Sequence, residues 1–312
     1  MTRVLVTGGK GFIGSHIVET LRKAGYDAGA LDIICSTKGV EALSCFKDIK
    51  ELGRYFDCDI RKFDEVERVF KLFQPEYVIH CAAKARIQPS LQNPVETYET
   101  NVLGTLNLLE VSRRFGVKKF VYSASSSAYG ANVKMPLKES MKPRPLNPYA
   151  YSKLMAEMLI EQYVKNFGLK ACLLRYFNVY GPGQPTEGQY ATVIGIFLRQ
   201  FANSEPFTIV PDGRQRRDFT WVGDVVRANL LAMESEKVGK AEVINIGFGK
   251  NYSILEVADI LGGKDYPRKM IESRAGEARA TLADISKAKK LLGWEPEISL
   301  EEGIELLKNQ IR

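Results

Sequence analysis

Short apolar runs alternate with longer amphipathic stretches along the first half of the chain. RVLVT, DAGALD, RYFDCDI, EYVIHCAA, KKFVYSAS and KACLLRY are the short runs, rich in β-branched and apolar residues, and each predicts a strand. Helical periodicity fills the gaps: from about Ile13 to Ala24, through DEVERVFKLF, from roughly Val95 to Phe115, and from NPYAYSK to about Asn166. A β-α-β-α order of this kind predicts a parallel sheet covered by helices on both faces. Beyond Tyr176 the rhythm loosens. Pro and Gly gather in YGPGQPTEG, and the later elements are shorter and mixed. AEVINIG reads as one more buried strand that returns to the first sheet. The expected domains are therefore residues 1–175 with a returning strand near 241–248, and a second, smaller α/β unit from residues 176–240 and 249–312.

Composition narrows the class without changing this picture. The 312 residues are 45% hydrophobic and 26% charged, enough to bury a sizeable core and free of low-complexity tracts. No apolar run reaches the length of a membrane span, and strand-like RVLVTGG begins at once, so neither membrane insertion nor a signal peptide is expected. The five cysteines, Cys35, Cys45, Cys58, Cys81 and Cys172, contain no C-x-x-C and read as reduced thiols, which points to the cytoplasm. Two histidines, His16 and His80, are too few for a dedicated zinc site, and no metal is expected. The net charge of +7 is spread among 37 acidic residues without a basic run, so nucleic acid is not an expected partner. GRQRRDF is the densest basic spot. Its Arg214, Arg216 and Arg217 either clasp a small anion or form a solvated loop.

TGGKGFIG falls directly between the first strand and its helix. Glycines at Gly8, Gly11 and Gly14 let the backbone turn tightly and approach a pyrophosphate, whose charge then meets the helix N-terminus. That placement predicts a Rossmann-type, doubly wound sheet. The second strand ends in Asp32, where a carboxylate accepts hydrogen bonds from ribose hydroxyls and repels a 2′-phosphate, favouring NAD over NADP.

NPYAYSK adds a candidate for chemistry. Residues four apart on a helix share a face, so Tyr149 lies beside Lys153, while Tyr151 points elsewhere and is left a packing or supporting role. An ammonium close to a phenol favours the phenolate, which suits Tyr149 to act as a general base.

With the glycine turn and the Y-x-x-x-K pair in place, the chain resembles the extended short-chain dehydrogenase/reductase family. Within it, the chain is similar to nucleotide-sugar epimerases typified by UDP-glucose 4-epimerase and UDP-N-acetylglucosamine 4-epimerase. TGGKGFIGSH, HCAAKARIQPS, NVLGTLNLLE, SASSSAYG, NPYAYSK, RYFNVYGP, RRDFTWVGD and LADISKAKKLLGW carry the resemblance over nearly the whole length. It implies a catalytic group of Ser125, Tyr149 and Lys153 working on a UDP-sugar through a transient 4-keto sugar. It implies cofactor contacts from Gly8, Gly11, Phe12, Ile13, Gly14, Asp32, Asp59, Ile60, Ala82, Ala83 and Asn101, besides Tyr149 and Lys153. Substrate contacts are implied for Ser125, Ser126, Ser127, Asn178, Arg217, Arg274 and Thr281. Ser126 and Ser127 stand where related dehydratases carry Asp and Glu, which argues against water elimination. Two departures stand out. Gly276-Glu277 replaces the usual Gly-Asp, and Thr281, of modest size, occupies the position that gauges the sugar pocket, so both plain and N-acetylated hexoses are expected to fit. The resemblance also implies a homodimer built on helices near residues 95–115 and 148–167. A uronate epimerase, decarboxylase or reductase of the same family, and a non-catalytic NAD- or RNA-binding protein, are the competing readings.

Overall fold

The computed structural model describes residues 1–33, 54–272, 276 and 278–311. Strands β1 (Arg3–Thr7), β2 (Asp27–Asp32), β3 (Tyr55–Asp57), β4 (Tyr77–His80), β5 (Lys119–Ser125) and β6 (Ala171–Tyr176) join a returning strand, Lys240–Ile246. They form one seven-stranded sheet in the order returning strand, β6, β5, β4, β1, β2, β3, every pairing parallel. Apolar side chains on both faces of β1, β4, β5 and β6 explain the unbroken hydrophobic runs, since helices cover the sheet on either side.

One face is packed by α1 (Phe12–Lys23) and a later helix, Val222–Glu234, through Ile17, Leu21, Val225 and Ala228, all fully buried. The other is packed by α2 (Phe63–Phe73), α5 (Gly104–Arg114) and α6 (Pro148–Phe167) through Phe70, Leu108 and Ile160. Each of these side chains other than Ala228 contributes roughly 1.5–3 kcal/mol of burial free energy. A third core, around Phe197, Phe207, Val257 and Ile304, belongs to the C-terminal part. Its small strand pairs include Arg216–Asp218 with Asn251–Ser253.

Helix α6 starts where its sequence says it must. The Asn147 side chain accepts from the Ala150 N–H at 2.8 Å, Pro148 takes the first turn, and Gly168 ends the helix with φ 72°. Two expected elements differ. RYFDCDI keeps only Tyr55–Asp57 as strand, the Cys58 N–H making the last ladder bond, to the Asp32 carbonyl at 3.0 Å. The expected helix from Val95 to Phe115 is divided into α4 (Pro94–Tyr98), a π-turn over Glu99–Leu103, and α5. Ahead of them lies the short α3 (Ile87–Gln92). Cys58, Cys81 and Cys172 are free thiols, whereas Cys35 and Cys45 lie outside the described residues. Among the described residues no helix is long and apolar enough to cross a membrane, and no His/Cys/Asp/Glu group could hold a metal.

Candidate active site

The strand order reverses between β1 and β4, so a crevice opens at the carboxyl ends of these strands. The glycine turn lines it. Gly8 adopts φ 67°, and a Cβ there would stand 2.7 Å from the Ala82 nitrogen, so only glycine lets the turn lie against the β4 loop. A Cβ on Gly14 would sit 2.0 Å from the Gly8 carbonyl oxygen. Gly11 donates its N–H back to Gly8 at 2.9 Å and then opens α1. Phe12 begins that helix, its ring edge-on to His16, and Ile13 packs toward the sheet. Asp32 closes the far side, accepting from the N–H groups of Lys10 at 2.9 Å and Ile33 at 2.8 Å. Burial pushes its carboxyl up against those two bonds. A tight turn, a helix N-terminus and a carboxylate at the end of β2 fit a dinucleotide, with Asp32 placed to hold ribose hydroxyls.

Tyr149 stands across the crevice on the first turn of α6. Its N–H donates to the Ser90 hydroxyl at 3.1 Å, and the Ser125 hydroxyl draws the pKa of its phenol down. The Ser125 oxygen already accepts from the Ser127 hydroxyl at 2.8 Å and the Ser127 N–H at 3.2 Å. Its own proton is thus left to donate, and its influence on Tyr149 runs in the direction that favours a phenolate. Burial nevertheless raises the Tyr149 pKa, opposed by Ser125 and by the charge of Arg86. Lys153, expected to do this, is turned aside. Its ammonium donates to the Ser123 carbonyl at 2.8 Å and lies 4.7 Å from the Tyr122 ring centre. Burial lowers Lys153 to a pKa of about 8. Tyr151, expected to pack or support, is instead 49% exposed.

A buried thread of hydrogen bonds joins the two sides of the crevice, and each donor in it can be assigned. The Ala82 N–H donates to the Thr7 hydroxyl at 3.3 Å. The Thr105 hydroxyl donates to the Asn101 carbonyl at 2.6 Å, so its oxygen accepts from His80 Nε2 at 2.9 Å. His80 Nδ1 therefore accepts from Thr7, at 2.6 Å. Burial keeps this imidazole neutral by lowering its pKa well below the usual value. The Asn101 amide then donates to Ser152 at 2.9 Å, and Ser152 donates to the Tyr149 carbonyl at 2.8 Å. The π-turn brings Asn101 to this place. Its side chain also grips Lys84, accepting from the N–H at 2.8 Å and donating to the carbonyl at 3.1 Å, so its amide serves the loop and α6.

Other expected contacts are also drawn into the protein's own bonding. Asp59 is forked by Arg61 at 2.7–3.0 Å. Ile60 is buried against Gly104, where a Cβ would come within 2.6 Å of it, so its side chain belongs to the core. Ala82 and Ala83 border the crevice on the β4 loop. Ser126 is buried beside Ser125. The Asn178 amide donates to the Asp218 carbonyl at 2.8 Å and the Thr281 hydroxyl at 3.4 Å, and Thr281 also accepts from the Asp218 N–H. Arg217 donates to the carbonyls of Arg216 and Arg279, while Arg216 pairs with Glu256 and Asn251, and Arg214 is exposed. Arg274 and Glu277 lie outside the described residues. Sequence reasoning missed Asp218. Its buried carboxylate accepts the N–H groups of Phe248, Gly249 and Ala283 at 2.7–3.0 Å and ties three segments together beside Asn178.

A doubly wound sheet with a glycine turn, a ribose-side carboxylate and a half-buried serine–tyrosine pair defines a nicotinamide-dependent enzyme of the Rossmann type. Residues 4–247 match the NAD dependent epimerase/dehydratase family, and the chain belongs to it. UDP-glucuronate 4-epimerase from Thermodesulfobacterium geofontis is 38% identical over 98% of this chain and 94% of its own. A Thermotoga maritima UDP-glucose 4-epimerase, crystallised with UDP-glucose, is 40% identical and superposes with a TM-score of 0.89 over 99% of this chain and 98% of that one. A UDP-N-acetylglucosamine 4-epimerase from Methanobrevibacter ruminantium, in complex with UDP-N-acetylmuramic acid, is 33% identical, with a TM-score of 0.88 over 99% of both chains. The cofactor is NAD.

Proposed function

We propose that this enzyme interconverts UDP-hexoses that differ at carbon 4, namely the glucose and galactose forms and their N-acetylated counterparts. The observation that carries the reading is the bond from the Ser127 hydroxyl to the Ser125 oxygen at 2.8 Å, which leaves the Ser125 proton free to donate toward the phenol whose pKa Ser125 draws down. NAD, when bound, supplies reversible hydride exchange with the sugar. Tyr149 takes the proton of the 4-hydroxyl and gives it back on the other face. Ser125 holds the oxygen by hydrogen bonding. Lys153 faces the cofactor side. Serines at 126 and 127 leave no acid for water elimination, which favours epimerisation over dehydration. Residues 176–240 and 249–312 hold the nucleotide, with Asn178, Arg217 and Arg274 at the diphosphate and Thr281 beside the hexose. Firm charge-assisted bonds to the diphosphate and a loose hold on the ring let the keto sugar turn over between the two transfers.

A homodimer suits the outer face of α6, where Tyr151, Met155 and Met158 are 49%, 43% and 62% exposed. Apolar side chains grouped on one helix face are the mark of an interface.

The test is incubation of the purified protein, without added cofactor, with UDP-glucose, UDP-N-acetylglucosamine and UDP-glucuronate separately, followed by NMR for the axial 4-hydroxyl product. Product from the first two is expected. Tyr149→Phe should lose turnover by a factor of 100 or more, on the order of a general base's contribution, and keep its NAD. Product from the uronate alone would replace this substrate assignment, and a fully active Tyr149→Phe would remove the mechanism.

A further inference from the structure

Arg175 has no part in the chemistry described so far. It lies on β6 in register with Ala124, the residue before Ser125 on β5, and it is only 3% exposed. Its guanidinium forks the Glu157 carboxylate, Nε donating to one oxygen at 2.9 Å and Nη2 to the other at 2.6 Å. The same guanidinium lies 4.7 Å from the centre of the Tyr129 ring. Those two partners belong to the two halves of the candidate site. Glu157 is on α6, four residues beyond Lys153 and eight beyond Tyr149, so all three lie along one side of the helix. Tyr129 ends the 3₁₀ turn Ser126–Tyr129, which starts from Ser125. Its hydroxyl donates to the Asn245 side chain at 2.6 Å, which anchors the ring to the returning strand. Arg175 therefore stands between the turn that presents Ser125 and the helix that presents Tyr149.

Stability alone does not account for this ion pair. Withdrawing two opposite charges from water offsets most of their attraction, and apolar side chains of the same volume serve a core as well or better. Arg175 also keeps one nitrogen, Nη1, sealed without a hydrogen-bond partner among the described residues, which is unfavourable again. What a planar fork lying over a ring does provide is direction, because both partners must meet the guanidinium in fixed orientations. We propose that Arg175, with Glu157, is a positioning residue of the reaction, which sets the spacing of the Ser125 hydroxyl and the Tyr149 phenol by locking α6 against the Ser125 turn. The Lys153 ammonium makes a second polar tie between the same helix and β5, through the Ser123 carbonyl at 2.8 Å. Two such ties about one helical turn apart resist a pivot of α6 that neither would resist alone. This inference rests on the reading of Ser125 and Tyr149 as the groups that handle the proton, which Ser125→Ala and Tyr149→Phe test by themselves.

The experiment replaces both charges by apolar groups of similar size, Glu157→Leu together with Arg175→Met. It reads kcat and KM with UDP-glucose, or with UDP-glucuronate if only the uronate is converted, so that a wrong substrate leaves the test intact. Urea unfolding and bound NAD are measured on the same protein. The urea midpoint, the NAD content and KM should hold, while kcat falls by about 10- to 100-fold, up to what a misplacement of about 1 Å costs. In a Ser125→Ala background the same two changes should cost little more, because the spacing they protect no longer matters. Arg175→Lys keeps the charge but neither the fork nor the stack, and its kcat should lie between those of the apolar variant and the unaltered protein. It carries the same cycle alone if the apolar variant does not fold. Unaltered kcat in the folded variant that carries the test overturns the proposal. So does a loss that repeats in full on top of Ser125→Ala, which would place the effect elsewhere in the site. A Ser125→Ala protein that turns over at the full rate removes the serine from the reaction, and the inference with it.

Discussion

Of the influences on the Lys153 ammonium, burial is the largest and lowers its pKa to about 8. The charged form therefore persists below that value and is lost above it, sooner than in an ordinary lysine, which stays protonated to about pH 10. The kcat profile should fall on the alkaline side with a midpoint near about 8, and Lys153→Met should remove that limb along with most of the turnover. A profile flat to about pH 10 would show that the charge of Lys153 is not required. The placement of the candidate pair was legible in the sequence because helix geometry is local: a spacing of four puts Tyr149 and Lys153 on one face wherever the helix lies. What Lys153 touches was not legible. Its acceptor, Ser123, lies 30 positions away on β5, and no local pattern encodes that meeting.

Helices and strands separate along similar lines. The sheet strands and α6 carry their own signals in apolar runs, an Asn-Pro start and a glycine stop, and they formed close to where the periodicity put them. The π-turn at Glu99–Leu103 interrupts a segment whose periodicity reads as a single helix, because one wider turn barely alters the spacing of apolar residues. That turn matters for the thread from Thr7 through His80 and Thr105 to Asn101, whose bonds span 73, 25 and 4 positions. Thr105→Val would strip His80 Nε2 of its acceptor inside the core. An unsatisfied buried donor costs about 1–3 kcal/mol, so the urea midpoint should drop accordingly while the NAD stoichiometry stays at one. An unchanged midpoint would mean that the thread relaxes around the loss. Asp218 escaped notice because an acid in an arginine-rich stretch reads as a surface charge, whereas here three backbone donors draw it inward.

At the scale of the molecule, the apolar outer face of α6 calls for a cover. Replacing Met158 and Tyr151 together by aspartate should convert a dimer to a monomer in light scattering, with NAD still bound. A chain that is monomeric before any substitution would dispose of the dimer.

The returning strand Lys240–Ile246 has a bearing on biosynthesis. It hydrogen-bonds to β6 only after the chain has made a long excursion into the C-terminal part. Until the ribosome has released residue 246, the growing sheet ends in a bare row of amide and carbonyl groups beside Leu173 and Leu174, an invitation to pair with any nascent neighbour. Gene fragments ending before that point should accumulate as inclusion bodies, and a split made between residues 180 and 240 should yield activity only when both pieces are produced together.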